Sequence, residues 1–368
     1  MQKTYLITGG TGLLGSQLAV DLVREGNKVI FLVRKEHSDP LRYVAKALEK
    51  VGWRAEDKIN IIPVDLQFPS LGILDNDLKE LAGLVAGIWH LAADLSFKPA
   101  NRERVLDTNV GGTRNVISLA EKLKCTLFYV GTAYVHDKHT KAMCKEVPAT
   151  LHHFDNAYEE SKYLAENLVL ASQVRHLIFR PSILLSSVDD KSRNMFGYYA
   201  VARAIASSLN AIRRLHILLV SRDAVLNLIP VKLATSWMVS LSNKVSSSSP
   251  RIYQITNPKP LRLEEVLRAT LDGFGLGDLK ILASGVWLAR TVLYGTSKLM
   301  CSVKIFRRAS KILSYYTPYL LQTTQFDVTN SRAVLGKEFM RYDINMTPTM
   351  LITDIAKSIA AEQNEYSK

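Results

Sequence analysis

Cysteine is scarce and scattered, with only Cys125, Cys144 and Cys301 in 368 residues. There is no Cys-x-x-Cys pair and no histidine cluster beside them. The chain therefore offers neither a disulfide framework nor the ligand spacing of a zinc site, and the three read as reduced, mostly buried thiols. Long apolar runs are also missing. The best candidates, 215–233 and 281–300, are interrupted by Arg222 and Asp223 and by Arg290 and Lys298, so no transmembrane helix is expected. A first strand beginning at Tyr5 leaves no room for a charged, apolar and cleavable leader, and the expectation is a cytoplasmic protein. Internal repeats and nucleic-acid-binding motifs are absent, which leaves nucleic acid out as a partner.

Acid is the short charge. Lys plus Arg number 47 against 34 for Asp plus Glu, a net charge of +13 at pH 7. Such an excess attracts anionic partners at long range: nucleotide phosphates, acidic carrier proteins or anionic lipid. A merely solvated basic surface is the alternative. Hydrophobic residues at 47% and charged residues at 22% are a globular balance that excludes a disordered or fibrous chain. Because single cores stop growing near roughly 250–300 residues, a main lobe and a smaller one are expected.

Residues 4 to 185 alternate short β-rich runs with longer helical patterns, as βαβ units in a parallel sheet do. The strands read Tyr5–Thr8, Val29–Val33, Ile59–Val64, Gly87–Leu91, Leu127–Val130 and His176–Phe179. Between the first two, Leu14, Leu18 and Leu22 recur every four residues and Gly26 follows as a stop, a helix with a leucine face. Asp39 and Pro40 open the next helix as cap and first residue. The fold class expected is α/β, a doubly wound parallel Rossmann sheet with a smaller, mostly helical, discontinuous substrate lobe. Residues 1–185 form the nucleotide-binding domain, with 225–257 returning to it through strands at Asn227–Val231 and Ile252–Ile255. Residues 186–224 and 258–368 form the second lobe. The serine run Ser246 to Ser249 is a loop rather than a domain linker.

Gly9, Gly10, Thr11, Gly12, Leu13, Leu14 and Gly15 lie between the first strand and the first helix. Glycines there permit a tight turn and close backbone approach to a pyrophosphate, which the helix N-terminus then faces. A structural glycine-rich turn is the competing reading, and the position directly after the first strand decides for a dinucleotide. The second strand ends at Arg34 and Lys35, where an acid would hold the ribose hydroxyls of NAD. Arg34 can instead fork onto a 2′-phosphate, with Lys35 or Arg42 adding charge, so NADPH is the expected cofactor. Asp65, followed by Leu66, ends the third strand where it can accept from the adenine amine; a helix cap is its rival role.

Tyr158 and Lys162 stand at i and i+4 in a helical pattern with Leu164 and Leu168, and so on one face. A free phenol titrates near pKa ~10 and an adjacent ammonium favours the phenolate, which makes the pair a proton donor to a substrate oxygen. With Thr132 at the end of the fifth strand, these elements resemble an extended short-chain dehydrogenase/reductase. The resemblance rests on the glycine run, Asp65, His90-Leu91-Ala92-Ala93, Asn109 to Thr113, Thr132, Tyr158 with Lys162, and Arg180-Pro181-Ser182, and covers about the first half of the chain. It implies that Thr132 hydrogen-bonds the reacting oxygen, Tyr158 supplies its proton, and Lys162 holds the nicotinamide ribose while lowering the tyrosine pKa. It implies also that Asn109 anchors a water relay, and that Leu91, Ala92 and Ala93 with Pro181, Ser182 and Ile183 line the cofactor.

Further segments are similar to the branch of fatty acyl-CoA reductases and thioester reductases: Ala92 to Phe97, Asn227 to Val231, Tyr253 to Pro258, and Phe326 to Ala333. Lys232 departs from the aspartate typical there. That resemblance implies NADPH-dependent reduction of an acyl thioester, on CoA or an acidic carrier protein, to aldehyde or onward to alcohol. A ketoreductase, epimerase or dehydratase acting on a small carbonyl or sugar nucleotide shares the same catalytic group, and a noncatalytic NADPH-binding protein would keep the fold. Lys304, Arg307, Arg308 and Lys311 give a basic helical face for anionic lipid, a peripheral membrane contact, or for an acidic carrier; a solvated outer face is the alternative. Residues 281–300 suit an acyl pocket or a plain core. Phe196, Tyr198 and Tyr199 suit a substrate entrance or packing.

Overall fold

A computed structural model describes residues 2–53, 59–136, 143–150, 153–186, 196–213, 217–285, 307–340 and 348–366. In chain order the first half gives β1 (Thr4–Thr8), α1 (Leu13–Arg24), β2 (Lys28–Arg34), α2 (Pro40–Lys50), β3 (Asn60–Val64), α3 (Asp75–Leu81) and β4 (Val85–His90). Then follow α4 (Arg102–Leu106), a π-helical turn at Asp107–Gly111, α5 (Gly112–Leu123), β5 (Thr126–Val130), α6 (Ala157–Ala171) and β6 (His176–Pro181). The second half contributes β7 (Ile183–Leu185), α7 (Tyr198–Ala206), α8 (Leu209–Ile212), β8 (Ile217–Ser221), β9 (Val225–Leu226), β10 (Leu228–Pro230), α9 (Val231–Lys244) and β11 (Ile252–Ile255). It closes with β12 (Leu261–Arg262), α10 (Leu263–Gly273), β13 (Lys280–Ser284), α11 (Arg307–Leu320), α12 (Thr329–Leu335), α13 (Lys337–Met340) and α14 (Pro348–Tyr366).

Seven strands pair in the order β11-β6-β5-β4-β1-β2-β3, every neighbour parallel. The chain reverses direction of growth between β1 and β4, and ligands of such sheets bind outside the carboxyl ends of the strands at that reversal. Successive side chains of a strand point to opposite faces, so Tyr5 and Ile7 pack with α1 and α9 on one face while Leu6 packs with α5 on the other. On the first face Trp89 stacks on Phe128 at 4.4 Å and on Phe179 at 5.3 Å. Asp39 caps α2 by accepting from the Arg42 N–H at 3.0 Å, with Pro40 in the first turn, as the sequence suggested.

Of the two strands expected to return to the first lobe, Ile252–Ile255 joins the seven-stranded sheet beside β6. Leu228–Pro230 pairs with β7, just past the end of β6, in a separate two-stranded sheet. A third core lies away from the sheet and joins α7, α10 and α14 through Tyr198, Ala202, Val266, Ile352 and Ile355. Val328, Leu335 and Phe339 fall within the stretch expected for the second lobe, yet they pack with Trp237 and the sheet residues, Phe339 stacking on Trp237 at 4.6 Å. The segment is held there by Glu146, which accepts from the Gln254 N–H at 2.7 Å, the Ser331 hydroxyl at 2.7 Å and the Asn330 N–H.

Arg180, fully buried, donates to Glu166 through Nε at 3.0 Å and Nη2 at 2.5 Å, and through Nη2 to the Val147 carbonyl at 2.9 Å. It thereby ties β6 to α6 and to the segment after β5. Removing one member of a buried ion pair strands the other charge. Arg180→Met is expected to lower unfolding free energy by about 3–5 kcal/mol, and Arg180→Met with Glu166→Leu to recover part of the loss, as read from urea unfolding.

Candidate active site at the carboxyl edge of the sheet

The turn after β1 is shaped by what cannot fit there. Gly9 has φ +68°, and a Cβ on it would meet the Ala92 nitrogen at 2.6 Å. A Cβ on Gly15 would meet the Gly9 carbonyl oxygen at 2.2 Å. The Gly12 N–H donates to that same oxygen at 3.1 Å, and α1 starts at Leu13 with no side-chain cap and no acid in its first turn. Thr11, Gly12, Leu13 and Leu14 remain half-exposed or exposed. The unpaired N–H groups of a helix start, on backbone stripped of side chains, form a cradle for an anion, and the dinucleotide expected from the sequence fits it.

Around the adenosine end the predicted residues are distributed unequally. Arg34 is exposed at the end of β2, and Arg42 is exposed in the first turn of α2. Lys35 is engaged: its ammonium pairs with Asp65 at 3.1 Å and lies 4.5 Å from the Phe68 ring centroid. Asp65 also accepts from the Gln67 N–H at 2.9 Å, and that bond, with Lys35, holds its carboxyl below the usual range. Leu66 faces Gly112, and its carbonyl accepts from Asn115 at 2.7 Å.

Behind the cradle runs a buried polar chain. Thr113 donates to the Asn109 carbonyl at 2.6 Å, so its oxygen must accept from His90 Nε2 at 3.1 Å. His90 Nδ1 then accepts from the Thr8 hydroxyl at 2.7 Å, and Thr8 accepts from the Ala92 N–H at 3.3 Å. Each hydroxyl has one hydrogen, and the count fixes His90 as the Nε2–H tautomer. Burial, then the nearby Lys162 ammonium, drives its pKa down to about 3, which keeps it neutral.

Asn109 sits in the π-helical turn between α4 and α5, a widened coil that recurs at functional sites. Its Oδ1 accepts from the Asp94 N–H at 2.7 Å; its Nδ2 donates to the Asp94 carbonyl at 3.0 Å and to Ser161 Oγ at 2.8 Å. Ser161 belongs to the same helix as Tyr158 and Lys162. Both amide hydrogens of Asn109 are thus spent on joining the loop after β4 to α6.

Asn156 caps α6 by accepting from the Glu159 N–H at 3.0 Å. Lys162 is buried; its ammonium donates to the Val130 carbonyl at 2.6 Å and lies 4.6 Å from the Tyr129 ring. Burial lowers it to about 7, with Glu166 opposing. Tyr158 keeps partial exposure, and its crowded surroundings raise it to about 12, opposed by the Thr132 hydroxyl. In the protein without cofactor, desolvation outweighs the lowering expected of an ammonium on the same helix. Thr132 is buried at the end of β5 and accepts from the Tyr134 N–H at 3.3 Å. Leu91, Ala92 and Ala93 are half-exposed beside the cradle; Leu91 N–H bonds the Thr8 carbonyl at 3.2 Å. Pro181 accepts from the Ala133 N–H at 2.9 Å, Ser182 donates its N–H to Ile255 at 3.1 Å, and Ile183 to Asn227 at 3.2 Å.

Sequence reading missed the contribution of α11. Tyr319 and Tyr316 come from it, and with Phe97 they form an aromatic wall over Tyr158: Phe97 lies 5.8 Å from Tyr158, 5.2 Å from Tyr316 and 5.6 Å from Tyr319. The Tyr319 hydroxyl donates to Glu159, the neighbour of Tyr158, and accepts from Asn156 at 2.9 Å. No local pattern announces a contact spanning 160 residues. Tyr198 and Tyr199 are buried, and Tyr199 is used internally, bonded to Ser186. Phe196 is 41% exposed. Of the basic face at 304–311, Lys304 and the side chains of Arg307 and Arg308 lie outside the described residues, as do Cys301 and residues 286–300. Cys125 and Cys144 are buried. Among the described residues no helix is long and apolar enough to cross a membrane and no cluster could hold a metal ion.

The family model described as "Male sterility protein" matches residues 7–238. The chain is 33% identical over 143 residues to UDP-N-acetyl-alpha-D-glucosaminuronate decarboxylase of Bacillus cytotoxicus, covering 38% of this chain and 40% of that one. It is 27% identical over 236 residues to a putative fatty acyl-CoA reductase of Drosophila melanogaster, covering 53% and 43%. It thus spans less than half of each of these relatives. In fold it is similar to the terminal R domain of the myxalamid PKS-NRPS pathway, with TM-score 0.78 and 22% identity over 98% of this chain and 91% of that one.

Lys162 gives the apo protein a particular pH dependence. Its unfolded pKa of about 10.4 lies above the folded value of about 7, so between them the unfolded chain holds a proton the folded one has released, and stability rises with pH. Urea midpoints of the wild type relative to Lys162→Met are expected to climb from pH 6 to pH 9; a constant difference would contradict the burial of this amine.

Proposed function

The chain belongs to the male sterility protein family, whose model matches more than half of it, and from that membership we propose that it reduces an acyl thioester with NADPH. The observation that carries this reading is the placement of Tyr158 and Lys162 on one helix beside Thr132, at the carboxyl edge of the sheet next to the glycine cradle. The family match and the fold support an NAD(P)-binding oxidoreductase of the extended short-chain dehydrogenase/reductase type.

A reduced nicotinamide bound along this edge supplies a hydride. Glycine-loop N–H groups hold the pyrophosphate, while Leu91 to Ala93 and Pro181 to Ile183 line the nucleotide. Lys162, with a pKa near neutrality, takes up a proton from solvent when a developing anion comes beside it, and as an ammonium donates to a ribose hydroxyl. Thr132 and Tyr158 take the thioester oxygen. As the carbonyl carbon gains hydride, the oxygen gains charge, which the two hydroxyls stabilise, and Tyr158 gives its proton. The resulting hemithioacetal breaks its C–S bond, the hydroxyl proton passing to sulfur, and releases aldehyde and thiol. Release of the aldehyde ends the reaction at two electrons; a second NADPH at the same site would carry it on to the alcohol. Asn109 acts by positioning α6. The exposed guanidinium of Arg34 is available for a 2′-phosphate, whereas Lys35 must first leave Asp65.

The 33% identity to a nucleotide-sugar decarboxylase favours a second reading, action on a sugar nucleotide through the same catalytic group. A panel of acyl-CoA thioesters, aldehydes and UDP-sugars, followed by cofactor absorbance, separates the two. Oxidation of NADPH with thioester is expected, falling about 10²–10⁴-fold in Tyr158→Phe. Arg34→Ser should reduce the preference for NADPH over NADH by about tenfold, the worth of a charge-assisted hydrogen bond. Turnover of UDP-sugars alone would overturn the reading.

A further inference from the structure

Arg180 has every one of its N–H donors engaged. Nε and Nη2 grip both oxygens of Glu166; Nη2 also reaches the Val147 carbonyl at 2.9 Å, and Nη1 reaches the Lys145 carbonyl at 3.4 Å and His136 Nε2 at 3.3 Å. A guanidinium has no further hydrogen to give, and its forked grip keeps the Glu166 carboxyl ionised. Both side chains are buried, Arg180 at 0% and Glu166 at 2% exposure. A buried pair is by itself a weak stabiliser, because apolar residues of similar volume often serve a core as well. What distinguishes this one is its place.

Glu166 follows Lys162 on α6 at i+4, and so on the same face. The two side chains meet β5 at adjoining residues. The Lys162 ammonium donates to the Val130 carbonyl at 2.6 Å, and a Cβ on Gly131 would lie 3.2 Å from Glu166 Oε2. Thr132 comes next in the chain. The other groups around the amine, from β4, β5 and the rest of α6, bring it no counter-charge. Tyr129 donates its hydroxyl to the Lys162 carbonyl at 3.5 Å, and burial raises that phenol well above its usual range. His90 and Tyr158 are neutral near pH 7, and His136 is kept neutral by burial and then by Arg180. The remaining carboxylates of α6 are taken up elsewhere, Glu159 by Tyr319 and Glu160 by Arg102 of α4. Burial works to strip Lys162 of its proton, and Glu166 opposes it.

We propose that Glu166, steadied by Arg180, is a positioning residue of the candidate site: it supplies the buried negative charge that keeps Lys162 an ammonium, aimed along β5 beside Thr132. The kinetic test of this assignment rests on the thioester reading; the titration test does not. In the titration, cofactor-free protein with lysine labelled with carbon-13 at Cε is followed by NMR, the Lys162 signal being the one missing from Lys162→Met. The wild-type midpoint is expected at about 7. Glu166→Gln keeps the shape and leaves the Arg180 charge uncompensated, and should lower that midpoint by about 1–3 pH units. Glu166→Leu with Arg180→Met removes both charges and should fall between the two. Glu166→Asp, which restores the carboxylate, should lie closer to the wild type than Glu166→Gln does. A purely structural pair would leave the amine titrating where it was. An unmoved or raised midpoint in Glu166→Gln, or in the double variant should the single one not fold, would overturn the proposal. In the kinetic test, kcat/KM with NADPH and an acyl-CoA thioester should begin its alkaline decline at lower pH in the variant with the lowered midpoint, because Lys162 acts as its ammonium. An alkaline limb that stays in place there would overturn the positioning role. Absence of turnover with every thioester would end the reductase reading, while the titration still decides whether Glu166 holds the charge on Lys162.

Discussion

Thr8 and Asn109 end a buried hydrogen-bonded chain on which the geometry of the candidate site depends. The chain passes through His90 and Thr113 and reaches α6 by way of the Asn109 amide and Ser161. One end is the residue before the glycine cradle; the other is the helix that carries Tyr158 and Lys162. In a low-dielectric interior a satisfied network of this kind is rigid, because breaking one link strands the rest. The protein thus fixes the separation of the glycine cradle and α6 through its own interior. His90 serves this by staying neutral, since a protonated ring could not accept from Thr8.

α11 adds an aromatic wall over the α6 residues of the candidate site. α11 brings Tyr316 and Tyr319 over Tyr158 with Phe97 between them, and Tyr319 is anchored to Glu159 on the catalytic helix itself. The aromatic wall and α6 are therefore held by groups bonded to one another. The buried polar chain orients α6 from the sheet side, and the tyrosines seat it from the other.

Much of the sheet was legible because its signals are local. Six strands were readable as β-rich runs separated by helical patterns, and the glycine cradle from the sterics of Gly9 and Gly15. The i, i+4 spacing correctly put Tyr158 and Lys162 on one helix. Spacing carries no information about burial, however, and burial decides their titration: the amine falls to about 7 while the phenol rises. The strand at Asn227–Val231 was legible as a strand, but its partner β7 was not, because pairing is set across the fold. Lys35 and Asp65 are each legible at a strand end, but not their pairing with one another, which depends on β2 and β3 lying side by side. Tyr316 and Tyr319 reach Phe97 and Glu159 only through the long-range placement of α11.

In the proposed reaction one edge of the sheet presents both the nucleotide and the carbonyl, so that reducing equivalents pass directly between them. The most direct measurement uses NADPH carrying deuterium at one face of nicotinamide C4, an unbranched acyl-CoA thioester, and mass spectrometry of the products. The predicted result is deuterium on the former carbonyl carbon of the aldehyde from one labelled face and none from the other. Product without deuterium from either face, or label from both faces equally, would contradict it.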